Sequence, residues 1–388
     1  MDKSSDSSSS KTPSKMAAAT FRCPPELLLR PLVRRGSQVT LKPKLTANIS
    51  TSSAKNTYKA AVCEDYDKPL VVRDMPSASP GELEPGMVRV AVQCCAVNFA
   101  DILICKGKYQ VKIPTPFVPG SEIAGKITDV GENVRMFQKG DRVFGHCQLN
   151  GFSGEAIASA QSMWKIPPSV SFEEAASIPT SYGTAMLALT QRAKIRSGET
   201  VLVTAAAGGV GLATVDLAKH VFNATVIGAA GGPEKCALVK RRGADHVIDY
   251  TKENIRERIR EITDGNGVNI VCDSVGGDLF TQCLKSLSWE GRIVVIGFAS
   301  GTIPKIPANL LLLKNAAATG VWWGEHKTKN PGAFRRSVDH CVDHLLTGQL
   351  QPYISKTFPL SKINEAFEYV QTRKSSGKVL VNITESVG

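Results

Sequence analysis

An apolar run, Val201-Leu202-Val203-Thr204, leads without a break into Ala205-Ala206-Ala207-Gly208-Gly209-Val210-Gly211 and then into a helical pattern over 212–220. A strand that turns on glycines straight into a helix gathers backbone N–H groups and the positive helix end at one point. That arrangement suits a pyrophosphate. A second apolar strand follows at Thr225–Ala229, as a βαβ unit requires. Ala207, Gly208, Gly209, Val210 and Gly211 are therefore expected to cradle a dinucleotide. Its identity turns on the end of the second strand, where an NAD site places a carboxylate for the ribose hydroxyls. Here the chain reads Ile227-Gly228-Ala229-Ala230-Gly231-Gly232, with Glu234 and Lys235 just beyond and Tyr250 after the third strand. No acid ends the strand to repel a 2′-phosphate. Lys235 would attract one and Tyr250 would donate to it, so NADPH is the expected cofactor.

Strands expected at Thr200–Thr204, Thr225–Ala229, His246–Asp249, Asn269–Cys272 and Arg292–Ile296 alternate with helical stretches. This is the rhythm of a parallel sheet covered on both faces. Earlier in the chain, short strands (Tyr58–Val62, Val88–Val97, Ile123–Val130, Arg142–Gly145) are separated by turn signals such as Pro85-Gly86 and Lys139-Gly140-Asp141. They predict a compact, barrel-like domain. Helices are expected at Phe172–Ile178 and Ser181–Ala193. After Gly320 come helices at Pro331–Leu346 and Lys362–Thr372 and strands at Tyr353–Phe358 and Lys378–Ile383, a tail able to return to the first domain. The expected division is a leader over 1–55, a β-rich domain over 56–178, a doubly wound parallel α/β domain over 179–320 and the return over 321–388.

Composition excludes several classes. A hydrophobic fraction of 42% and a charged fraction of 21% are ordinary globular values. No apolar run reaches the roughly 18 residues that a membrane span needs. The net charge of +12 is concentrated at the start, where residues 1–55 hold ten basic and three acidic groups. A basic leader on a mildly charged body argues against a nucleic-acid binder. The leader's Ser-rich, Arg-bearing segment from Met16 to Lys55 reads as a mitochondrial presequence, whereas Asp2 and Asp6 upstream oppose that reading. The ten cysteines form no C-x-x-C pair, which favours reduced thiols over a disulfide framework. His340 and His344 share a helical face but lack the Glu of a zinc-protease helix and read as surface.

Further blocks stand in a recognisable order. They are Ala96-Val97-Asn98-Phe99-Ala100-Asp101, Val118-Pro119-Gly120-Ser121-Glu122, Gly140-Asp141-Arg142-Val143, Gly198–Gly211, Gly243–Tyr250 and Gly377-Lys378-Val379. Together they resemble the zeta-crystallin-type quinone oxidoreductases of the medium-chain dehydrogenase/reductase superfamily, over about residues 57–384. The resemblance implies a Rossmann domain inserted into a GroES-like catalytic domain built from both ends of the chain. It also implies a cofactor and substrate cleft between the domains, and a homodimer.

The resemblance assigns roles to individual residues. Where zinc-dependent relatives carry a cysteine ligand and a histidine ligand, this chain has Asn98 and Ser121, which cannot replace thiolate and imidazole. No metal is expected. Without a Lewis acid, an acceptor already activated by conjugation is the natural substrate: a quinone or enone, with an enoyl thioester as the alternative. A non-enzymatic NADPH-binding protein (sensor, structural or RNA-binding) is the reading from a different class. Asn98 is expected to bond the nicotinamide ribose or the acceptor oxygen, or else to cap a turn. Asp101 is expected to position its loop, and Tyr109 to donate to a carbonyl or else to pack. Thr184 is expected at the nicotinamide and Lys378 at the cofactor. Phe298, Trp322 and Trp323 would shape an apolar acceptor pocket. Leu103 and Cys105 stand where related bacterial enzymes carry tyrosine and arginine.

Overall fold

The structure, a computed structural model, describes residues 57–77 and 83–384. The leader and its targeting reading lie outside the described residues. Two antiparallel strands, β1 (Thr57–Val62) and β2 (Val71–Pro76), come first. A long strand β3 (Met87–Val97), helix α1 (Phe99–Cys105) and strands β4 (Glu122–Val130), β5 (Arg142–His146), β6 (Glu155–Ser159) and β7 (Met163–Lys165) build the β-rich lobe. Strand alternation is visible at the adjacent thiols of β3. Cys94 packs into the core shared with the helices that follow, and Cys95 into the core of the β lobe.

Helix α2 (Phe172–Ala176) starts at a capping box in which the Glu174 N–H donates to Ser171 Oγ and the Ser171 N–H to the Glu174 carboxylate. Helix α3 (Pro179–Leu187) has proline at its first position, where the missing N–H costs nothing. It closes in a π-turn over Ala188–Arg192, so the single helix expected over 181–193 is two segments of different pitch.

The α/β lobe follows as β8 (Thr200–Val203), α4 (Gly209–His220), β9 (Thr225–Ala230), α5 (Pro233–Arg241), β10 (His246–Asp249), α6 (Ile255–Ile262), β11 (Val268–Asp273), α7 (Gly277–Lys285), β12 (Leu287–Val295), α8 (Ala308–Lys314) and β13 (Ala317–Gly320). The six strands are all parallel, in the order β10-β9-β8-β11-β12-β13. Order reverses between β8 and β11, and the crevice beyond their carboxyl ends is where such a sheet binds ligands. Helix α6 shows why its residues choose this position. Ile255 and Ile259, one turn apart, are its buried face, and Asn254 caps the free N–H groups of Arg256 and Glu257.

Helices α9 (Trp323–Lys329) and α10 (Pro331–Leu346) then lead to β14 (Ile354–Pro359), α11 (Ile363–Gln371) and β15 (Lys378–Asn382). Strand β15 lies antiparallel to β3, completing the order β14-β15-β3-β4-β5-β7. Buried Asp216 of α4 ties this return to the α/β lobe. It accepts from the Tyr182 hydroxyl of α3 at 2.7 Å, from Arg242 Nη2 at 3.1 Å and from the Gln351 N–H at 3.2 Å.

Candidate active site

The phosphate loop is held from three sides. Ala205 adopts a positive φ of 45°, and its carbonyl accepts from the Gly208 N–H at 2.8 Å. A Cβ on Gly211 would lie 2.2 Å from the Ala205 oxygen, so glycine there is a steric requirement. The Thr204 hydroxyl donates to buried Asp273 at 2.6 Å, and Asp273 also accepts from the Val275 and Gly276 N–H groups. That carboxyl clamps together the two loops at the switch point. From the β lobe, the Gly377 N–H donates to the Ala207 carbonyl at 2.7 Å and Gly377 bridges to Gly208.

At the far end of the crevice, β9 runs into Gly231 and Gly232. Lys235 Nζ donates to the Arg373 carbonyl at 2.6 Å, and Arg373 Nη2 donates to the Ala299 carbonyl at 3.0 Å. Burial pushes the Lys235 ammonium below its ordinary range, and the Arg373 charge adds to that. The Tyr250 hydroxyl is pushed up by burial, with the same guanidinium opposing. Its ring flanks Gly231. The nearby Asp249 carboxylate is already spent on the Gly232 N–H and on Thr251. Two cations and a phenol thus converge where the sequence reading placed Lys235 and Tyr250. Arg373 was missed, because 138 residues separate it from Lys235 and it belongs to no local motif.

The other end holds a buried charge cluster. Lys378 Nζ donates to Glu122 Oε2 at 2.6 Å and to Asn98 Oδ1 at 2.9 Å. Asn98 Nδ2 donates to the same Glu122 oxygen at 2.9 Å, and the Thr180 N–H at the start of α3 donates to Glu122 Oε1 at 2.7 Å. The Glu122 and Lys378 side chains are 0% and 5% exposed. Both ends of the Asn98 amide are therefore engaged by neighbours. Glu122 was quoted in the sequence only as part of a block, and its pairing with Lys378, 256 residues away, had no local signal. The Lys378 stem lies against Gly209, so this cluster backs directly onto the phosphate loop. Thr184 is buried one turn along α3 from Thr180.

Asp101, 1% exposed, reaches back from α1 to accept the Asn98 N–H at 2.8 Å. Burial pushes its carboxyl up to about 7, against the Asn98 hydrogen bond and the Lys378 charge. A carboxyl whose folded pKa is raised stabilises the fold fully below its unfolded value, near 4, and loses that contribution as pH rises through about 7. The unfolding free energy of the parent, minus that of Asp101→Asn, should therefore fall from about pH 4 to about pH 7. Urea titrations of both proteins across that window check it, and a pH-independent difference would refute it.

Tyr109 is half-buried just beyond α1. Burial raises its hydroxyl pKa, the Trp322 indole N–H opposes as a hydrogen-bond donor, and the Asp101 carboxyl adds a further upward push. Trp323 packs edge-on against His146 at 5.5 Å between ring centroids and donates to Ser337, and is buried in the core rather than lining an open pocket. Trp322 is 46% exposed and Phe99 41%. Among the described residues no group of three or more His, Cys, Asp or Glu side chains converges in a metal-holding set.

Residues 84–182 match the family Alcohol dehydrogenase GroES-like domain, and residues 209–340 match the family Zinc-binding dehydrogenase. A quinone oxidoreductase-like protein 2 homolog from Nematostella vectensis is 49% identical over 366 residues, covering 94% of this chain and 99% of its own. The chain belongs to the quinone oxidoreductase branch of the medium-chain dehydrogenase/reductase superfamily. Among other members, quinone oxidoreductase-like protein 2 of Bos taurus is 45% identical, covering 84% of this chain and 93% of its own. The NADPH-complexed quinone oxidoreductase of Escherichia coli matches with a TM-score of 0.75 at 27% identity, covering 84% of this chain and 99% of that one. The β-rich lobe is thus the family's GroES-like domain and the parallel sheet its Rossmann domain.

Proposed function

We propose that this oxidoreductase is zinc-independent and uses NADPH to reduce a quinone or another conjugated carbonyl acceptor. The observation that carries the reading is the convergence of Lys235, Arg373 and Tyr250 at the end of β9, where Asp249 is occupied by Gly232 and Thr251 and Glu234 lies exposed in the first turn of α5. Two neighbouring cations favour a bound 2′-phosphate dianion over a ribose hydroxyl. Residues 207–211 hold the pyrophosphate, and Thr184 faces the nicotinamide. NADPH, when bound, supplies the hydride. The chain then has to orient the acceptor, exclude water and stabilise charge arriving on the acceptor oxygen. Tyr109 is the donor for that oxygen. Asn98, committed to Glu122 and Lys378, shapes the cleft wall rather than donating to the acceptor. The exposed faces of Phe99 and Trp322 suit a flat apolar acceptor.

The test is NADPH oxidation by the purified protein against an ortho-quinone, an alkenal and an enoyl thioester, with and without a chelator. Turnover of the quinone or the enone is expected, unchanged by chelation. Tyr109→Phe should lower kcat by up to about a hundredfold, the cost of losing one well-placed oxyanion donor, with NADPH affinity intact. Turnover of the thioester alone would make the protein an enoyl reductase. No NADPH oxidation with any acceptor would leave a cofactor-binding protein without turnover.

A second copy of the chain is the proposed partner. Strand β13 ends the parallel sheet with one edge unpaired, and the neighbouring α8 has no buried residue. Leu312 is 80% and Leu313 70% exposed there. An open edge beside bare leucines calls for cover by another chain, and the same edge of a second copy is complementary in a twofold arrangement. Light scattering should give twice the 41.6 kDa chain mass, and Leu312→Glu with Leu313→Glu should halve it. A parent that runs as a monomer refutes this assembly.

A further inference from the structure

At the opposite end of α4 from the phosphate loop lies a cavity of about 360 Å³, within the size range of small-molecule sites. Its walls are the ends of α4 and α5, with His220, Arg241 and Arg242, and the turn that carries Gly348, Gln349 and Gln351. Asp216 forms its floor. The charges here are not equivalent. Asp216 is paired with Arg242 and accepts from the Tyr182 hydroxyl, and Arg242 also donates to the Gln351 carbonyl. His220 Nε2 stands 3.8 Å from Asp216 Oδ1, beyond hydrogen-bond reach. Arg241 has neither an acid nor a hydrogen-bond acceptor among the described residues.

Cations in the last turn of a helix are favoured by the helix dipole, and Lys219 and Lys240 are such residues. Both are satisfied: Lys219 Nζ donates to Asp245 Oδ1 at 2.6 Å and Lys240 Nζ to the Asp245 carbonyl at 2.5 Å. Arg241 and His220 are the donors left over, and both open onto the cavity. A planar guanidinium fork with an imidazole beside it matches the oxygens of a phosphate. We propose that this cavity is a second ligand site, distinct from the cofactor crevice, which binds the phosphate group of a small phosphomonoester. Gln349 and Gln351 are placed to meet the polar body of that ligand. The Gln349 amide is held by the His220 carbonyl at 3.4 Å and by contact with His344 and Thr347. The site spans the Rossmann domain and the segment returning to β14. It stands whether or not the protein turns over a quinone.

Phenyl phosphate titrated calorimetrically into the full chain, with and without saturating NADPH, tests the assignment. One saturable site per chain is expected, with the same affinity in both arms and no binding of phenol. Arg241→Gln should weaken it at least tenfold, and His220→Gln should weaken it independently. Neither side chain supports the fold through an ion pair within hydrogen-bond distance, so thermal unfolding should stay at the parent value. Absence of saturable binding in the millimolar range would overturn the proposal. So would binding that NADPH displaces, or binding indifferent to both substitutions.

Discussion

Glu122→Gln is expected to destabilise the protein by about 3–5 kcal/mol, because it leaves the Lys378 ammonium buried without its counter-charge. The amide keeps a single acceptor oxygen, enough for the Thr180 N–H, and turns its NH2 toward the Asn98 and Lys378 donors, so the loss combines the missing charge with broken hydrogen bonds. Lys378→Met should cost a similar amount by stranding Glu122. The double variant Glu122→Leu with Lys378→Met should recover much of it, since well-packed apolar residues often replace a buried ion pair without net loss. Urea unfolding of the four proteins reads these values directly. A single-variant loss below about 1 kcal/mol would mean the pair behaves like a surface salt bridge. NADPH titration adds a separate reading. The double variant should bind more weakly than the parent even where its stability recovers, because the Lys378 stem lies against Gly209 of the phosphate loop.

The second large effect is expected in cofactor choice. Replacing Lys235 and Arg373 together by alanine should weaken NADPH binding about a hundredfold, or ~2.7 kcal/mol. NADH affinity should stay near the parent value. On the proposed NADPH reading each side chain would contribute a charge-assisted hydrogen bond to the phosphate, worth roughly 1.5–3 kcal/mol, and half-exposure would reduce that. Lys235→Ala alone should give the smaller part, because the Arg373 guanidinium keeps its bond to the Ala299 carbonyl although the Arg373 backbone loses its bond from Lys235. Fluorescence titration with both cofactors checks the ratio. An equal loss for NADPH and NADH would show that the two cations support the fold of the crevice and do not read the 2′-phosphate.

Much of the α/β lobe is legible in the sequence, for a physical reason. Strands buried on both faces, such as Val201–Val203 and Ile270–Cys272, must be continuous apolar runs, and Gly211 must be glycine. The edge of that sheet was not anticipated. Strand β13 spans four residues, Ala-Ala-Thr-Gly, without a strand signature, and α8 has no buried face to impose a period. In the β lobe, β6 and β7 are too short to show alternation, and β2 exposes most of its residues. The site divides in the same way. The phosphate loop is local and could be read from spacing, whereas the expectations for Asn98 and Asp101 rest on the family resemblance. Arg373 and the Glu122–Lys378–Asn98 cluster depend on contacts across 138 to 280 residues, which only the folded chain brings together. The sequence reading offered Asn98 as a partner for the ribose or the acceptor oxygen, or else as a turn cap. In the structure, the lysine and the glutamate occupy its amide.

The stitch between Gly377 and the phosphate loop bears on how the protein is made. Strand β3 emerges from the ribosome well before its neighbour β15. The Ala207 carbonyl likewise waits for an N–H translated 170 residues later. The Rossmann domain can condense during synthesis around its own local contacts, whereas the long-range pairings come late and slowly. Capacity to hold the dinucleotide firmly should therefore appear only once β15 has been translated. A nascent chain stopped after β14 would carry every glycine of the loop and still lack the backbone that closes it.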